Sequence, residues 1–198
     1  MIVLGLTGSI GMGKSTAARM LAQMGCPVHD SDKIAREALD PEGEAFEDVA
    51  LMFPKVWDKK KHIIKRDVLA EIIFKNIDAK EKLENLIHPI VRASQKKFIQ
   101  KQKKLGRNIV ALDIPLLFET GAQNRVDYTI VVSAPFHIQR QRVLSRNGMN
   151  EEKFQAILSH QMSDIEKCKQ ADYVVPTGMG MALTYRTLSE ILKNARKK

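Results

Sequence analysis

Cysteine is scarce in this chain. Its 198 residues hold two, Cys26 and Cys168. Their separation matches neither a metal-ligand spacing nor a disulfide framework, so a reducing, cytoplasmic setting is the expectation. Histidine is dispersed: His29, His62, His88, His137 and His160 form no H-E-x-x-H or similar cluster. The sequence therefore gives no sign of a transition-metal centre built by protein ligands. Aromatic residues are only 6% of the chain, and no basic–aromatic alternation marks a stacking platform for nucleic-acid bases. No apolar run approaches a membrane span. Internal repeats and low-complexity stretches are also missing, which argues against a solenoid or array. The apolar N-terminal run lacks a basic leader and passes straight into a glycine-rich loop, so a signal peptide is not expected.

What is present is a composition suited to a folded domain. Hydrophobic residues make up 44%, enough for a core, and the length fits one domain of ordinary size with inserted subregions. Lys and Arg number 32 against 23 Asp and Glu, a net charge of +9. A nucleic-acid binder has such a balance, and so does a protein that handles highly phosphorylated small molecules. Much of the excess lies in Lys59-Lys60-Lys61, between Lys96 and Lys104, and in the terminal Arg196-Lys197-Lys198. Charge runs of this kind are read as solvated helix faces or tails.

The most informative stretch is Gly8-Ser9-Ile10-Gly11-Met12-Gly13-Lys14-Ser15-Thr16. It satisfies the P-loop pattern G-x-x-x-x-G-K-[ST]. Gly8, Gly11 and Gly13 let the backbone bend tightly so that its N–H groups can close around phosphate oxygens. The helix that follows points its positive end at the same anion. Lys14 supplies a point charge for the terminal phosphates, and the Ser15 hydroxyl is a Mg²⁺ ligand. The required context is there too. Residues 2–7 form a short apolar run of buried-strand type. Ala17, Ala18, Leu21 and Met24 then recur at helical spacing before Gly25 and Pro27 stop the helix.

Further along, residues 26–30 read as a second strand, followed by a helix to about residue 39 that Asp30 or Ser31 caps. Residues 44–105 are mostly helical in pattern with almost no strand signal. Within them the long periodic run 80–104 is kinked or interrupted at Pro89 and ended by Gly106. Strands are expected at 108–113, 128–132 and 172–175, and helices at 136–147, 150–162 and 183–193. Strands alternating with helices imply an α/β fold with a parallel sheet. Ligands bind such sheets outside the carboxyl ends of the strands, and the loop, Asp30 with Asp32, and Asp113 all fall at those ends. They are expected to converge on one cleft, with 39–105 inserted as a substrate-facing subdomain. A phosphoryl-transfer enzyme needs a group to orient or accept the proton of the attacking hydroxyl, and a carboxylate such as Asp32 or Asp30 is one solution; a helix cap is the plainer role.

At this point the chain resembles the dephospho-CoA kinase family, nearly end to end. The stretches that carry the resemblance are GLTGSIGMGKST (5–16), VHDSDKIAR (28–36), RDVLAEIIF (66–74), LENLIHPIVR (83–92), LDIPLLFE (112–119), Gln139 with Arg142 and Arg146, and ADYVVP (171–176). The HPxxR and DxPLLxE motifs are much more specific than the P-loop. The resemblance implies a P-loop NTPase three-layer α/β/α fold. Its nucleotide-binding core would cover about 1–38, 106–135 and 171–198, its helical CoA-binding insertion about 39–105, and its lid about 136–170. It implies transfer of the γ-phosphoryl of ATP to the 3′-hydroxyl of dephospho-CoA, with Mg²⁺, in the cytoplasm. Neither nucleic acid, membrane nor oligomer is required.

Carried over position by position, Asp32 matches the general base and also meets the substrate. Gly8, Gly11, Met12, Gly13, Lys14, Ser15 and Thr16 match the ATP-phosphate contacts. His88 and Arg92 match the CoA-binding motif. Asp113 matches the strand end beside Mg²⁺, and Leu116 and Glu119 the loop under the acceptor. Arg142 and Arg146, four apart on one helix face, match lid arginines that neutralise charge on the transferring phosphoryl; Arg142, with Lys14 and Asp32, completes the catalytic set. The departures are few. Ser9 stands at a usual Gly, Met12 at a small residue, Lys61-His62 at a common Gly turn, and Thr177 at a usual Asn near the adenine end of the site.

Rival readings differ in what they require. A shikimate kinase shares the P-loop and the D-S-D, yet needs a Gly-Gly-Gly substrate loop that is missing here. A GTPase switch needs N-K-x-D to read guanine, also missing. A basic ATP-dependent nucleic-acid binder would show salt-sensitive binding, against which the low aromatic content weighs mildly.

Overall fold

The structure is a computed structural model and describes residues 1–196; Lys197 and Lys198, the end of the basic C-terminal run, lie outside the described residues. In chain order the elements are β1 (Ile2–Thr7), α1 (Lys14–Gln23), β2 (Val28–Asp30), α2 (Ser31–Glu37), α3 (Phe46–Met52), β3 (Trp57–Asp58), β4 (Ile63–Ile64), α4 (Arg66–Lys75), α5 (Ile77–Lys104), β5 (Ile109–Asp113), β6 (Tyr128–Ser133), α6 (Phe136–Leu144), α7 (Glu151–Ser159), α8 (Asp164–Gln170), β7 (Tyr173–Pro176) and α9 (Met181–Arg196). The chain divides into two compact units, residues 1–30 with the chain from 101 onward, and residues 31–100.

The first unit is an α/β domain. Its five strands are all parallel, in the order β2-β5-β1-β6-β7. All five residues of β5 are buried, as are the last four of β1. A parallel sheet covered on both faces demands such uninterrupted apolar runs, which is why these strands could be read from sequence almost to the residue. Helices flank the sheet. Leu4, Leu6, Ile130, Val132 and Val175 pack with Ala17 and Leu21 of α1 and with Leu188, Ile191 and Leu192 of α9. Cys26 lies in this core, where burial pushes its thiol up to about 12, so it is inert as a nucleophile. The parallel register sets Asp30 beside Asp113 and places both at the carboxyl edge of the sheet, next to the loop that follows β1.

The second unit is helical around its own core of Phe46, Val49, Val56, Leu69, Leu83 and Ile87. Two sequence expectations need correction here. A two-stranded antiparallel hairpin, β3 with β4, interrupts the helices; two-residue strands are too short to leave a period-2 signal. At its turn His62 adopts φ 51, the left-handed region where a glycine would be unstrained, and its ring packs 4.7 Å from that of Phe46. Pro89 does not interrupt α5, which runs for 28 residues through it. The carbonyl that loses its partner belongs to Asn85, and both Asn85 and Pro89 are exposed, so water can take the place of the missing N–H.

Two further differences concern residues 136–170. The helix that opens at Phe136 ends at Leu144, so Arg146 lies beyond it and does not share a helix face with Arg142. The Ser145 hydroxyl donates to the Arg142 carbonyl, an alternative to continuing the helix. The stretch read as one helix over 150–162 stops at Ser159, and α8 starts afresh at Asp164 under a capping box made by Ser163 and Glu166. The basic runs at Lys59–Lys61 and along α5 are exposed, as is Arg196, in line with solvated faces.

Candidate active site

The loop between β1 and α1 is shaped by its surroundings as much as by its glycines. Gly13 has φ 89 and caps α1; only a residue without Cβ holds this conformation freely. Gly11 lies so close to α6 that a Cβ there would sit 2.6 Å from Val143 Cγ2 and 2.9 Å from the Gln139 carbonyl. Gly8 abuts Val132 at the end of β6. Ile10 is gripped through its backbone on both sides: its carbonyl accepts from Gln139 Nε2 at 2.8 Å, and its N–H donates to Gln161 Oε1 at 3.1 Å. Met12 is buried, and its sulfur accepts the Ala134 N–H.

Lys14 opens α1, and its Nζ lies 2.5 Å from Asp113 Oδ1. Both side chains are largely covered, 16% and 7% exposed, where a charge pair interacts more strongly than on the surface. Ser15 is exposed and Thr16 half-buried on the same first turn. Arg142 reaches this loop from α6. Its Nη2 donates to the Thr177 carbonyl at 2.7 Å, and its Nη1 lies 3.2 Å from Thr177 Oγ1 and 3.4 Å from the Gly11 carbonyl. Arg146 is exposed. Of the sequence-predicted residues, then, Gly8, Gly11, Met12, Gly13, Lys14, Ser15, Thr16, Asp113 and Arg142 gather around one loop.

In the second unit, Asp32 on α2 and His88 on α5 line a cavity of about 320 Å³ with Arg36, Leu39, Leu83 and Ile87. One wall of it is apolar. Arg92 is exposed on α5, one turn past His88, and is not among the residues lining the cavity.

A match to the dephospho-CoA kinase family model spans residues 2–181. A dephospho-CoA kinase of Mesorhizobium japonicum is 45% identical over 197 residues, covering 99% of this chain and 98% of its own. Among solved structures, a Thermus thermophilus protein superposes with TM-score 0.85 at 33% identity, covering 98% of this chain and 97% of its own. A dephospho-CoA kinase from Campylobacter jejuni does so with TM-score 0.72 at 30% identity and the same coverage. The chain belongs to the dephospho-CoA kinase family.

Within this family member, sequence reasoning missed a buried polar cluster at the root of residues 136–170. Lys167 on α8 is fully buried, with Nζ 2.8 Å from Glu119 Oε1 at an angle that makes the contact an ion pair rather than an aligned hydrogen bond. The same Glu119 oxygen accepts the Met162 N–H. Glu119 thus ties the loop after β5 to the start of α8, and Leu116 lies half-buried in that loop. Beside it, Asp164 Oδ2 accepts from Ser133 Oγ at 2.5 Å. Burial raises the Asp164 carboxyl above its usual range, against the opposing effects of Ser133 and Lys167. The Cys168 thiol is also raised, by burial first and by the Asp164 charge second. No sequence signal announced Lys167, because in K-C-K between other charges it reads as one more solvated lysine. Gln161 was equally silent, and Thr177 was noted only as a departure.

Proposed function

We propose that this chain transfers the γ-phosphoryl group of ATP to the ribose 3′-hydroxyl of dephospho-CoA, the last step of coenzyme A synthesis. The observation that carries this is the family match over residues 2–181 joined to the packed phosphate loop with its Lys14–Asp113 pair. In this reading Lys14 and the loop N–H groups hold the phosphates, and Asp32 orients or accepts the hydroxyl proton, which the carboxylate–hydroxyl chemistry requires. His88 and Arg92 bind the acceptor, with residues 39–105 as the CoA-binding insertion and about 136–170 as the lid. Arg142, held against the loop, and Arg146, exposed beyond the end of α6, are the cations assigned to the ATP phosphates; Leu116 and Glu119 support the acceptor loop.

The donors near the loop fit Mg²⁺. The Ser15 hydroxyl and the Asp113 carboxylate are hard oxygen ligands, and such an ion completes its shell with water and phosphate oxygens. When bound, it supplies charge neutralisation on the β- and γ-phosphates. Asp113 would act through water while its Oδ1 keeps Lys14 aligned. Among the described residues no helix is long and apolar enough to cross a membrane. Cys26 and Cys168 are free thiols, which suits a reducing, cytoplasmic setting; the reading calls for no membrane, nucleic acid or obligatory partner.

One assay tests the reading. ADP release is followed with dephospho-CoA, shikimate or nucleic acid as the only added acceptor. Release with dephospho-CoA alone is expected, and release driven by either of the others would overturn it.

A further inference from the structure

The residue that joins Arg142 to the phosphate loop is Thr177, immediately after β7 at the carboxyl edge of the sheet. Its N–H donates to the Ser133 carbonyl at 2.8 Å, which fixes its backbone against the end of β6. Its side chain is buried. A hydroxyl has one proton and two lone pairs. Oγ1 lies 2.7 Å from the Met12 carbonyl, its best-placed acceptor, and accepts from Arg142 Nη1 at 3.2 Å. The Thr177 carbonyl takes a second Arg142 donor at 2.7 Å. A Cβ on Gly13 would sit 3.3 Å from Thr177 Oγ1 and 3.5 Å from Arg142 Nη1, so cation and hydroxyl both lie directly against the turn that leads into Lys14.

We infer that Thr177 is a positioning residue for ATP. Its hydroxyl pins the loop turn at Met12 and at the same time aims the Arg142 guanidinium at the loop, so that one side chain couples the shape of the phosphate cradle to the placement of its flanking cation. The guanidinium is a long, rotamer-rich group whose ordering costs free energy. Held by residue 177 and Gly11, it is in place through contacts internal to the protein. This inference rests on the reading of the loop as an ATP site, not on the identity of the acceptor.

The test uses equilibrium titration of the full chain with ATP, which needs no acceptor, alongside turnover with dephospho-CoA. Thr177→Val keeps the shape and removes the hydroxyl. It is expected to weaken ATP binding and raise the KM for ATP by about tenfold, as for a lost charge-assisted hydrogen bond, with the KM for dephospho-CoA unchanged. Thr177→Ser is expected to restore ATP binding to within about twofold of the parent. Because the two residues act together, the cost of Thr177→Val should shrink in an Arg142→Ala background. An equal rise in both KM values, failure of Ser to rescue, or full multiplication of the two effects would overturn the inference. If the parent chain binds ATP with this same pattern but does not phosphorylate dephospho-CoA, the acceptor assignment fails and the Thr177 inference stands.

Discussion

Between Gly8 and Lys14 nearly every position is held by a named neighbour: Val132, Gln139, Gln161, Val143, Ala134, Thr177 and Asp113. Around Asp32 and His88 the polar groups instead stand on two helices at the rim of a partly apolar cavity, and Asp32 itself is exposed. In the proposed reading the first region acts through its backbone, whose geometry is over-determined by packing, together with one lysine. The second would act through single side chains that a helical scaffold presents. A backbone site tolerates little change in shape, while a side-chain site can lose one group and keep its fold. Mutations should therefore separate the two regions by which kinetic constant they move.

The largest effect is expected at Asp32. Asp32→Asn keeps size and removes the charge, so kcat should drop about 10²–10⁴-fold, the range for loss of a general base, with ATP affinity nearly intact. Asp30→Asn is the control. If steady-state kinetics show Asp30→Asn dead and Asp32→Asn active, the base is misassigned. Lys14→Ala follows, with a loss of about 10²–10³-fold in kcat, as for removal of one preorganised donor to developing charge. It also frees Asp113 from its cation, so direct titration should show weaker ATP binding too. Wild-type-like turnover in folded Lys14→Ala protein would dissolve the contrast between the two regions.

The same contrast explains what could be read in advance. The strands of the first unit are continuous apolar runs, and the loop is a pattern with fixed spacing, so both were visible locally. Asp32 became a candidate as a carboxylate just past a strand end beside the loop, whereas His88 and Arg92 carry no spacing rule of their own and became candidates through the family motif HPxxR. The hidden part was long-range. Gln161 meets Ile10 across 151 positions and Thr177 meets Met12 across 165, and no local period encodes such pairs. Lys167 was hidden for a different reason: burial of a lysine depends on a carboxylate 48 positions away in sequence, Glu119, while local composition argues for solvent. The restart of α8 could have been found, since Ser163-x-x-Glu166 is a capping-box signature.

Stability measurements sharpen the comparison from the other side. Glu119→Gln removes the nearest counter-charge of buried Lys167, and removal of one partner of a buried pair costs about 3–5 kcal/mol. Chemical denaturation should show that loss in the midpoint. Arg92→Ala, on the exposed face of α5, should be near-neutral for stability and instead raise the KM for dephospho-CoA about tenfold or more, with little change for ATP. Equal shifts in both constants would make Arg92 structural, and a stable Glu119→Gln protein would show that the charge pair is not what holds the root of α8.

The smallest expected effect is at Asp164, and its sign is informative. Burial raises this carboxyl, so the folded state binds the proton more tightly than the unfolded chain does. Stability from this group is then fully present below the unfolded value, near pH 3.9, and falls as pH rises through the higher folded value. Once ionised, Asp164 carries a charge that burial opposes more than Ser133 and Lys167 favour. Asn keeps an oxygen to accept from Ser133 Oγ and carries no charge. Asp164→Asn should therefore raise the melting temperature at pH 7–8, and the gain should vanish toward pH 4. The residue as a whole is half-buried, but its Oδ1 is buried without a hydrogen-bond partner, so the gain should be measurable, on the order of 1 °C. Thermal melts across that pH range check both the sign and the vanishing point. A drop at pH 8 would mean that the Asp164 charge is used by Lys167 and the first turn of α8, and that this polar cluster is held by ionic attraction more than it is strained by burial.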